Sequence, residues 1–398
     1  QRMCAYRMKY DFETLVDRRR AGALKWDLMR QAQPNAPEDA VPLSVADMEF
    51  VIAPEIRAAL HQYIDAQIPG YSGAPEGFRE SVCSFLRRRH GVSVSPEELV
   101  QTPGVVYALP RAIRAMTEEG EGIILLTPVY YPFYRVIRDT GRTAVPCPLR
   151  YEEGRYSIDF ALLETLASRR ENKALLLCSP HNPVGRVWTA CEVRAMAEIA
   201  ERYGLFVIAD EIHFDLVFPG HTHTSFGTLE GEIAGRTILC TAPSKTFNLA
   251  GMNLSNIIIR DRALRERFGR ELRVDATPSL NPFGYVACQA AYDRAEPWLK
   301  ALLAYLDGNR RFVQEFIVRE LPQLRAVALE GTYLQWVDCR GLGLEQDALE
   351  ARMTAHGLFF DEGYLFGQEG AGFERINLAC PRRVLVQAME RLRAACRA

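Results

Sequence analysis

The chain lacks any apolar run long enough to cross a membrane, and it lacks a surplus of charge of either sign. Its longest apolar stretches, such as residues 123–126 and 205–209, are far shorter than the roughly 20 residues of a membrane-spanning helix. Forty-eight Lys and Arg residues stand against fifty Asp and Glu residues, for a formal net charge of −2. This balance gives no electrostatic reason to expect a nucleic acid or an anionic membrane as a partner.

The cysteines lack the close spacing of a zinc site or of a small disulfide framework. There are 10 of them, and the nearest two are Cys178 and Cys191. Most of the others lie in apolar stretches, where a free cysteine behaves as a small apolar residue. His221 and His223 have no carboxylate or cysteine at zinc-like spacing, so we expect no metal site. This cysteine usage is typical of a reducing compartment, and we expect a cytoplasmic protein.

Length and local patterns predict two structural units. The chain has 398 residues, of which 48% are apolar and 25% charged, the ordinary balance of a globular protein. Its centre alternates β-rich runs with helical patterns, which predicts an α/β domain with a mostly parallel sheet. Both ends mix helix and strand patterns, so we expect a large domain at residues 51–289 and a smaller one formed by residues 1–50 and 290–398. The predicted strands of the sheet are residues 99–101, 122–126, 143–147, 174–178, 205–209, 236–240 and 256–259.

Four of these strands are followed directly by polar side chains or by the start of a helix. Because ligands of open α/β sheets bind at the carboxyl ends of the strands, we expect these groups to share one site. A helix start after a glycine turn suits a phosphate. A lysine that follows a buried strand can be desolvated and become nucleophilic. The groups are Asn182, Asp210, His213, Lys245 and the helix start at Gly104, Val105 and Val106.

Together these groups fit pyridoxal 5′-phosphate (PLP), which needs a lysine for a Schiff base, an acid at its pyridine nitrogen and a phosphate cradle. Over nearly its whole length the chain resembles the fold-type I PLP enzymes, and among them the MalY/PatB cystathionine β-lyases, or C–S lyases. The implied fold is aspartate aminotransferase-like α/β, with a seven-stranded sheet domain and a smaller α+β domain. The strings that carry the resemblance are VADMEF (45–50), GYS (70–72), SPHNPVG (179–185), DEIH (210–213), SKTFNLAG (244–251), GTYL (331–334) and residues 363–381, which include FERIN.

The resemblance implies a role for each matching residue near the reacting atoms. Lys245 would form the Schiff base and then move the Cα proton, while Asp210 would hold the proton on the pyridine nitrogen. Tyr130 and Ile212 would pack on the two faces of the cofactor ring. Arg375 would clamp the substrate carboxylate, for which its planar fork is better suited than a lysine.

The resemblance also implies contacts to the cofactor oxygen atoms and to a second subunit. Asn182 and His213 would contact the phenolic oxygen, with Asn182 also next to the substrate. Many aminotransferases have a tyrosine at the position of His213. Tyr71 would reach the phosphate of the neighbouring subunit, which implies a homodimer with shared active sites. Aspartate-type aminotransferases place an arginine eight residues after the lysine, where this chain has Asn253.

The implied phosphate site combines backbone amides with a hydroxyl group. The amides of Val105 and Val106, just after Gly104, would hold the phosphate. Either Thr241 or Ser244 would add a hydroxyl donor. Without the arginine of the aspartate-type enzymes, neutralisation of the phosphate charge is weaker or comes from elsewhere. This absence argues against an aspartate-type aminotransferase and is compatible with the C–S lyase branch.

The implied activity is α,β-elimination of L-cystathionine or a related L-cysteine S-conjugate to pyruvate, ammonia and a thiol. Either Tyr130 or Tyr71 from a partner subunit would protonate the leaving thiolate. An aminotransferase would use the same residues, but it would need a 2-oxo acid for turnover. A third interpretation is a PLP-bearing regulatory protein that acts through a protein partner.

Overall fold

Thirteen strands are found in the computed structural model, which describes residues 10–277 and 279–398. They are β1 (Leu99–Thr102), β2 (Gly122–Thr127), β3 (Thr143–Pro148), β4 (Arg150–Glu152), β5 (Arg155–Ser157), β6 (Asn172–Cys178), β7 (Phe206–Asp210), β8 (Thr237–Thr241), β9 (Ser255–Ile259), β10 (Arg325–Ala326), β11 (Leu334–Asp338), β12 (Asp361–Glu362) and β13 (Phe373–Asn377). A seven-stranded sheet has the order β1-β9-β8-β7-β6-β2-β3, and a four-stranded sheet has the order β10-β11-β13-β12. Strands β4 and β5 form a separate hairpin.

The helices flank these sheets. They are α1 (Leu24–Ala32), α2 (Pro54–Ala66), α3 (Phe78–His90), α4 (Val105–Met116), α5 (Pro132–Asp139), α6 (Phe160–Ala167), α7 (Ala190–Arg202), α8 (Glu232–Gly235), α9 (Arg262–Val274), α10 (Pro282–Arg294), α11 (Glu296–Glu320), α12 (Gln346–Ala355) and α13 (Arg382–Arg397). Over the described part of the chain, no helix combines the length and the apolar character needed to cross a membrane.

The large sheet confirms the predicted α/β fold. All seven predicted strands lie in it, each within two residues of its expected bounds. Every residue of β2, β8 and β9 is buried, as expected for strands covered on both faces. Strand β9 runs antiparallel to its neighbours β1 and β8, and the other pairings in the sheet are parallel. The parallel strands therefore bring their carboxyl ends to one edge.

Helix α7 begins after a reciprocal cap between Thr189 and Glu192. The Thr189 hydroxyl accepts from the Glu192 amide at 3.2 Å, and the Glu192 carboxylate accepts from the Thr189 amide at 2.8 Å. This reciprocal pair satisfies two amide groups that have no partner inside the helix. The cap fixes the start of a helix that turns Val193, Met196 and Ala200 into the core.

The N-terminal segment joins the C-terminal part of the chain through backbone hydrogen bonds. The Leu43 amide donates to the Phe359 carbonyl, and the Asn377 amide donates to the Leu43 carbonyl, both at 2.9 Å. The Glu49 amide donates to the Ala379 carbonyl, also at 2.9 Å. These bonds hold the segment across the edge of the four-stranded sheet. The domain bounds stay a prediction, and the first nine residues of the predicted small domain lie outside the described residues.

Candidate active site

A cavity of about 200 Å³ lies at the edge of the large sheet where the parallel strands end. The ends of four strands each contribute one part of the lining: the start of α4 after β1, and loops after β6, β7 and β8. The sequence-predicted residues that line it are Gly104, Val105, Val106, Tyr130, Asn182, Asp210, Ile212, His213, Ser244 and Lys245. Thr241, Tyr71 and Arg375 are not among the lining residues.

Lys245 enters the cavity from the loop after β8. Its Nζ donates to the Ala46 carbonyl at 2.6 Å, and the same carbonyl accepts from the Tyr333 hydroxyl at 2.9 Å. Burial lowers the pKa of Lys245 from 10.5 to about 8, against the opposing attraction of Asp47. A far larger fraction of its amine is therefore uncharged at neutral pH than for an exposed lysine, as a nucleophile requires.

Asp210 is the last residue of β7 and is buried at the floor of the cavity. Its Oδ1 accepts from the Ile212 amide at 3.1 Å. Burial raises the pKa of Asp210 from 3.8 to about 7, although the Ile212 amide and the charge of Lys245 lower it. A cationic N–H placed against this carboxylate would stabilise its charged form.

His213 and Asn182 bring two further polar groups to the cavity. The Nδ1 of His213 is buried and has no hydrogen-bond partner among the described residues. Burial, with Lys245 and Arg375 nearby, holds the pKa of His213 well below its usual value, so the imidazole is neutral. The Asn182 Oδ1 accepts from Arg375 Nη1 at 3.0 Å. The Asn182 NH₂ group is therefore the end left for a ligand oxygen.

The start of α4 supplies a backbone cradle. Gly104 precedes the helix with a φ of +141°, a conformation that side chains rarely adopt. The first amides of a helix have no partner within it, so those of Val105 and Val106 are free for an anion. The Ala108 amide, one turn on, already donates to the Gly104 carbonyl at 3.1 Å. This geometry suits a phosphate.

Only one of the two predicted phosphate hydroxyls lines the cavity. The Thr241 Oγ1 donates instead to the Asn256 carbonyl at 2.8 Å, which ties β8 to β9. Ser244 lines the cavity, so the structure favours Ser244 as the hydroxyl donor. Asn253 also lines it, and its short neutral side chain donates to the Gly251 carbonyl at 3.4 Å.

Arg375 lies on β13 directly opposite Asp361 of β12. Its Nη2 forms an ion pair with the Asp361 carboxylate, and its Nη1 bonds Asn182. Its Nε is buried without a hydrogen-bond partner among the described residues. The guanidinium lies over the ring of Phe366, 4.8 Å from the centroid. The predicted carboxylate clamp is thus next to the site, but it is engaged within the protein.

The predicted tyrosines occupy different environments. Tyr130 lines the cavity, and burial raises its pKa, so the phenol stays protonated at neutral pH. Its neighbour in the sequence, Tyr131, has no predicted role; its ring lies 5.5 Å from that of Phe366, and its side chain is partly exposed. Tyr71 is fully exposed on the single chain. Its contact with a second subunit stays a prediction.

Three groups near the site were not predicted from the sequence. Ala46 and Tyr333 lie in strings that carried the resemblance, but nothing in those strings marks a carbonyl that two donors share. Asp361 lies two residues before the last string. Strand β12 has only two residues, too few for a strand pattern, so no sequence signal pairs Asp361 with Arg375.

Comparison with known proteins bears directly on this geometry. The profile of the family described as aminotransferase class I and II matches residues 38–392. The chain belongs to this family. It is 36% identical to cystathionine beta-lyase PatB of Bacillus subtilis (strain 168), over 97% of this chain and 99% of that protein. It is 33% identical to protein MalY of Escherichia coli (strain K12), over 98% of this chain and 99% of that protein.

A solved structure supports the same assignment. Cystalysin from Treponema denticola, whose structure contains a PLP cofactor, is similar with a TM-score of 0.96 and 43% identity, covering 98% of this chain and 99% of that one. The resemblance to the MalY/PatB cystathionine β-lyases and the aspartate aminotransferase-like fold are therefore confirmed.

The cavity fits the cofactor of this family on several independent observations. PLP brings an aldehyde, a basic ring nitrogen, a phenolic oxygen and a phosphate. Lys245 offers a partly uncharged amine, and Asp210 offers a carboxylate whose pKa burial raises. His213 offers a buried nitrogen that has no partner among the described residues, and the start of α4 offers free amides. Each group that PLP brings thus has a counterpart in the cavity.

Proposed function

We propose that this protein is a PLP-dependent C–S β-lyase that acts on L-cystathionine or a related L-cysteine S-conjugate. The overall reaction consumes the conjugate and one water, and it yields a thiol, pyruvate and ammonium. The observation that carries the proposal is the meeting of Lys245, Asp210 and the start of α4 in one cavity. The identity of 36% to a cystathionine beta-lyase over nearly the whole chain supports it.

The protein's own residues would divide the work of elimination. Bound PLP supplies an electron sink for the pair of electrons left when the Cα proton is removed. The Lys245 amine takes that proton as a general base, since its lowered pKa leaves the amine available near neutral pH. Asp210 holds a proton at the ring nitrogen, and Arg375 holds the substrate carboxylate so that the Cα–H bond is oriented towards Lys245.

The leaving thiolate needs a proton donor. Tyr130 is one candidate, because it lines the cavity and its raised pKa keeps the hydroxyl protonated. Tyr71 of a second subunit is the other candidate, since its side chain is fully exposed on the single chain. We keep both in the proposal.

The proposal includes a homodimer and a cytoplasmic location. The exposed Tyr71, together with a neutral Asn253 on the cavity wall, supports a phosphate site that a second subunit completes. The nine cysteines of the described residues are all free, which is in keeping with a reducing compartment. Sedimentation of the PLP-saturated protein would give twice the chain mass, and a monomer at micromolar concentration would contradict the dimer.

The test is an assay of purified, PLP-saturated protein with L-cystathionine and no added 2-oxo acid. We expect pyruvate and free thiol in equal amounts over many turnovers. A requirement for a 2-oxo acid would instead indicate an aminotransferase. This alternative is supported by 29% identity to arginine–pyruvate transaminase AruH of Pseudomonas aeruginosa. If no product forms either with or without a 2-oxo acid, the remaining interpretation is a PLP-bearing regulatory protein.

A further inference from the structure

The guanidinium of Arg375 forms an ion pair with a carboxylate of the same chain, that of Asp361. Asp361 and Arg375 are cross-strand partners in β12 and β13, and both side chains are buried, with 11% and 2% exposed. The pair therefore brings together opposite charges in a region with little water. A buried arginine without a counter-charge is costly, so Asp361 stabilises the clamp while no substrate is present.

The same ion pair occupies N–H groups of Arg375 that a substrate carboxylate would bind. A carboxylate binds arginine most strongly through two parallel N–H groups, either Nη1 with Nη2 or Nε with Nη2. Both arrangements use Nη2, which the Asp361 carboxylate already engages. The Ser44 carbonyl also accepts from Nη2, at 3.4 Å, and the Asn182 oxygen accepts from Nη1 at 3.0 Å. Among the described residues, Nε is the one guanidinium nitrogen without a partner.

We propose that Asp361 is a specificity-determining residue that competes with ligand carboxylates for Arg375. This inference rests on the proposed function, in which Arg375 receives the α-carboxylate. A substrate amino acid also binds through its amine, so it can displace Asp361 from Nη2. A simple carboxylate, or the product pyruvate after the amine is lost, has no such second anchor. Asp361 then returns to Arg375 and keeps such acids out.

The experiment measures binding of propionate, which has a carboxylate and no amine, to the PLP-saturated protein. Calorimetric titration and the shift in melting temperature report binding without turnover. The test variant is Asp361→Asn, which keeps the shape and removes the charge. The matched control is Glu362→Gln, which removes a carboxylate from the adjacent position of β12, where the side chain makes no ion pair with Arg375. Asp361→Ser is the second variant in case the first folds poorly.

We expect Asp361→Asn to bind propionate at least about tenfold more tightly than the wild type, and Glu362→Gln to bind like the wild type. Without propionate, Asp361→Asn should melt at a lower temperature, because the Arg375 charge is unpaired. Adding Arg375→Met to Asp361→Asn should abolish the gain in affinity. Equal or weaker binding by Asp361→Asn and Asp361→Ser, or a gain that survives loss of Arg375, would overturn the proposal.

The assay of L-cystathionine keeps the two proposals apart. If the wild type forms no pyruvate and thiol, the proposed function fails, while the propionate titration still decides whether Asp361 competes for Arg375. If the wild type is an active lyase, the Asp361→Asn enzyme should be inhibited by pyruvate at a lower concentration than the wild type. Unchanged inhibition by pyruvate would count against the competition.

Discussion

The residues that would bind the cofactor and those that would bind the substrate carboxylate differ in how far their charges and hydrogen bonds are already satisfied within the chain. We call these two groups the cofactor side and the carboxylate side of the site. On the cofactor side, burial shifts the pKa values of Lys245 and Asp210 so that their neutral forms are favoured, and a His213 nitrogen has no partner in the described part of the chain. On the carboxylate side, Arg375 is already paired with Asp361. The first side is arranged to receive a ligand, whereas the charge of the second side is already paired within the chain. Cofactor binding therefore adds contacts, and carboxylate binding exchanges one contact for another.

The origin of this difference lies in the elements that build each side. The cofactor side is formed by the ends of strands in the seven-stranded sheet, and every residue of β8, the strand before Lys245, is buried. The carboxylate side is formed by β13 and the two-residue strand β12. A short edge strand can reorient a side chain at little cost to the rest of the fold.

The largest effect should come from removing the nucleophile on the cofactor side. Lys245→Ala should lower the rate of thiol formation by at least about 10³-fold, because the only proposed base for the Cα proton is lost. The protein should still fold, since the one hydrogen bond of the Lys245 amine among the described residues is to the Ala46 carbonyl. Pyruvate release under saturating L-cystathionine gives the measurement.

Lys300→Ala, at an exposed position of α11, is the matched control and should keep wild-type activity. Activity of Lys245→Ala within a few fold of the control would refute the assigned role of this lysine.

The second-largest effect should come from a substitution of Arg375 that keeps its positive charge but removes its planar fork of N–H groups. Arg375→Lys replaces a planar fork by a single ammonium, so bidentate binding is lost. We expect kcat/KM to fall about 10²-fold, mostly through a higher KM. Steady-state kinetics with L-cystathionine tests this, with Arg383→Lys at an exposed position of α13 as the control. A fall in kcat alone, at constant KM, would place Arg375 away from the ground-state carboxylate.

A pH series of PLP uptake tests whether the pKa of Lys245 is already lowered in the PLP-free protein. Burial lowers the pKa of Lys245 to about 8, and only the uncharged amine reacts with an aldehyde. The rate of uptake by the PLP-free protein should therefore rise about tenfold per pH unit below that value and level off above it. Pyridoxal, which has no phosphate to titrate, serves as the control ligand. A rate that continues to rise towards pH 10 would show an ordinary exposed lysine.

The smallest effect should come from removing one hydroxyl group near the phosphate-binding start of α4, and it should differ between Ser244 and Thr241. Ser244→Ala should weaken PLP binding roughly three- to tenfold, the usual loss for one hydrogen bond. Thr241→Val should leave PLP affinity nearly unchanged and lower thermal stability instead, because the Thr241 hydroxyl bonds the Asn256 carbonyl. Fluorescence titration with PLP separates the two. The opposite ranking would restore Thr241 as the phosphate ligand.

Most of the residues that the sequence predicts for the cofactor side line one cavity in the structure, because each of them is marked by a local sequence pattern. Asp210 directly ends a buried apolar strand, and Gly104 precedes a helix with strong periodicity, so both positions follow from pattern alone. The capping box at Thr189 and Glu192 is likewise a local signal, and it fixes the start of α7. Parallel strands then bring these local features to one edge, which the general rule for α/β sheets anticipates.

The carboxylate side could be predicted only in part, because it depends on contacts between distant segments. Arg375 was marked by its motif, but its pairing with Asp361 follows from the register of β12 against β13. The Ala46 carbonyl, which accepts from Lys245 and Tyr333, is a backbone atom with no residue-type signal. The choice between Thr241 and Ser244 likewise required knowing which hydroxyl already had a partner.

The most direct test of the difference between the two sides is a pair of crystal structures of the PLP-saturated protein, with and without L-alanine, which has no thiol to lose. We expect Asp210, Asn182 and Tyr130 to hold their positions in both, while the Asp361 carboxylate leaves Nη2 of Arg375 when the L-alanine carboxylate binds there. An Asp361–Arg375 pair that stays intact with L-alanine bound, or a rearrangement of the residues around Asp210, would contradict this difference between the two sides.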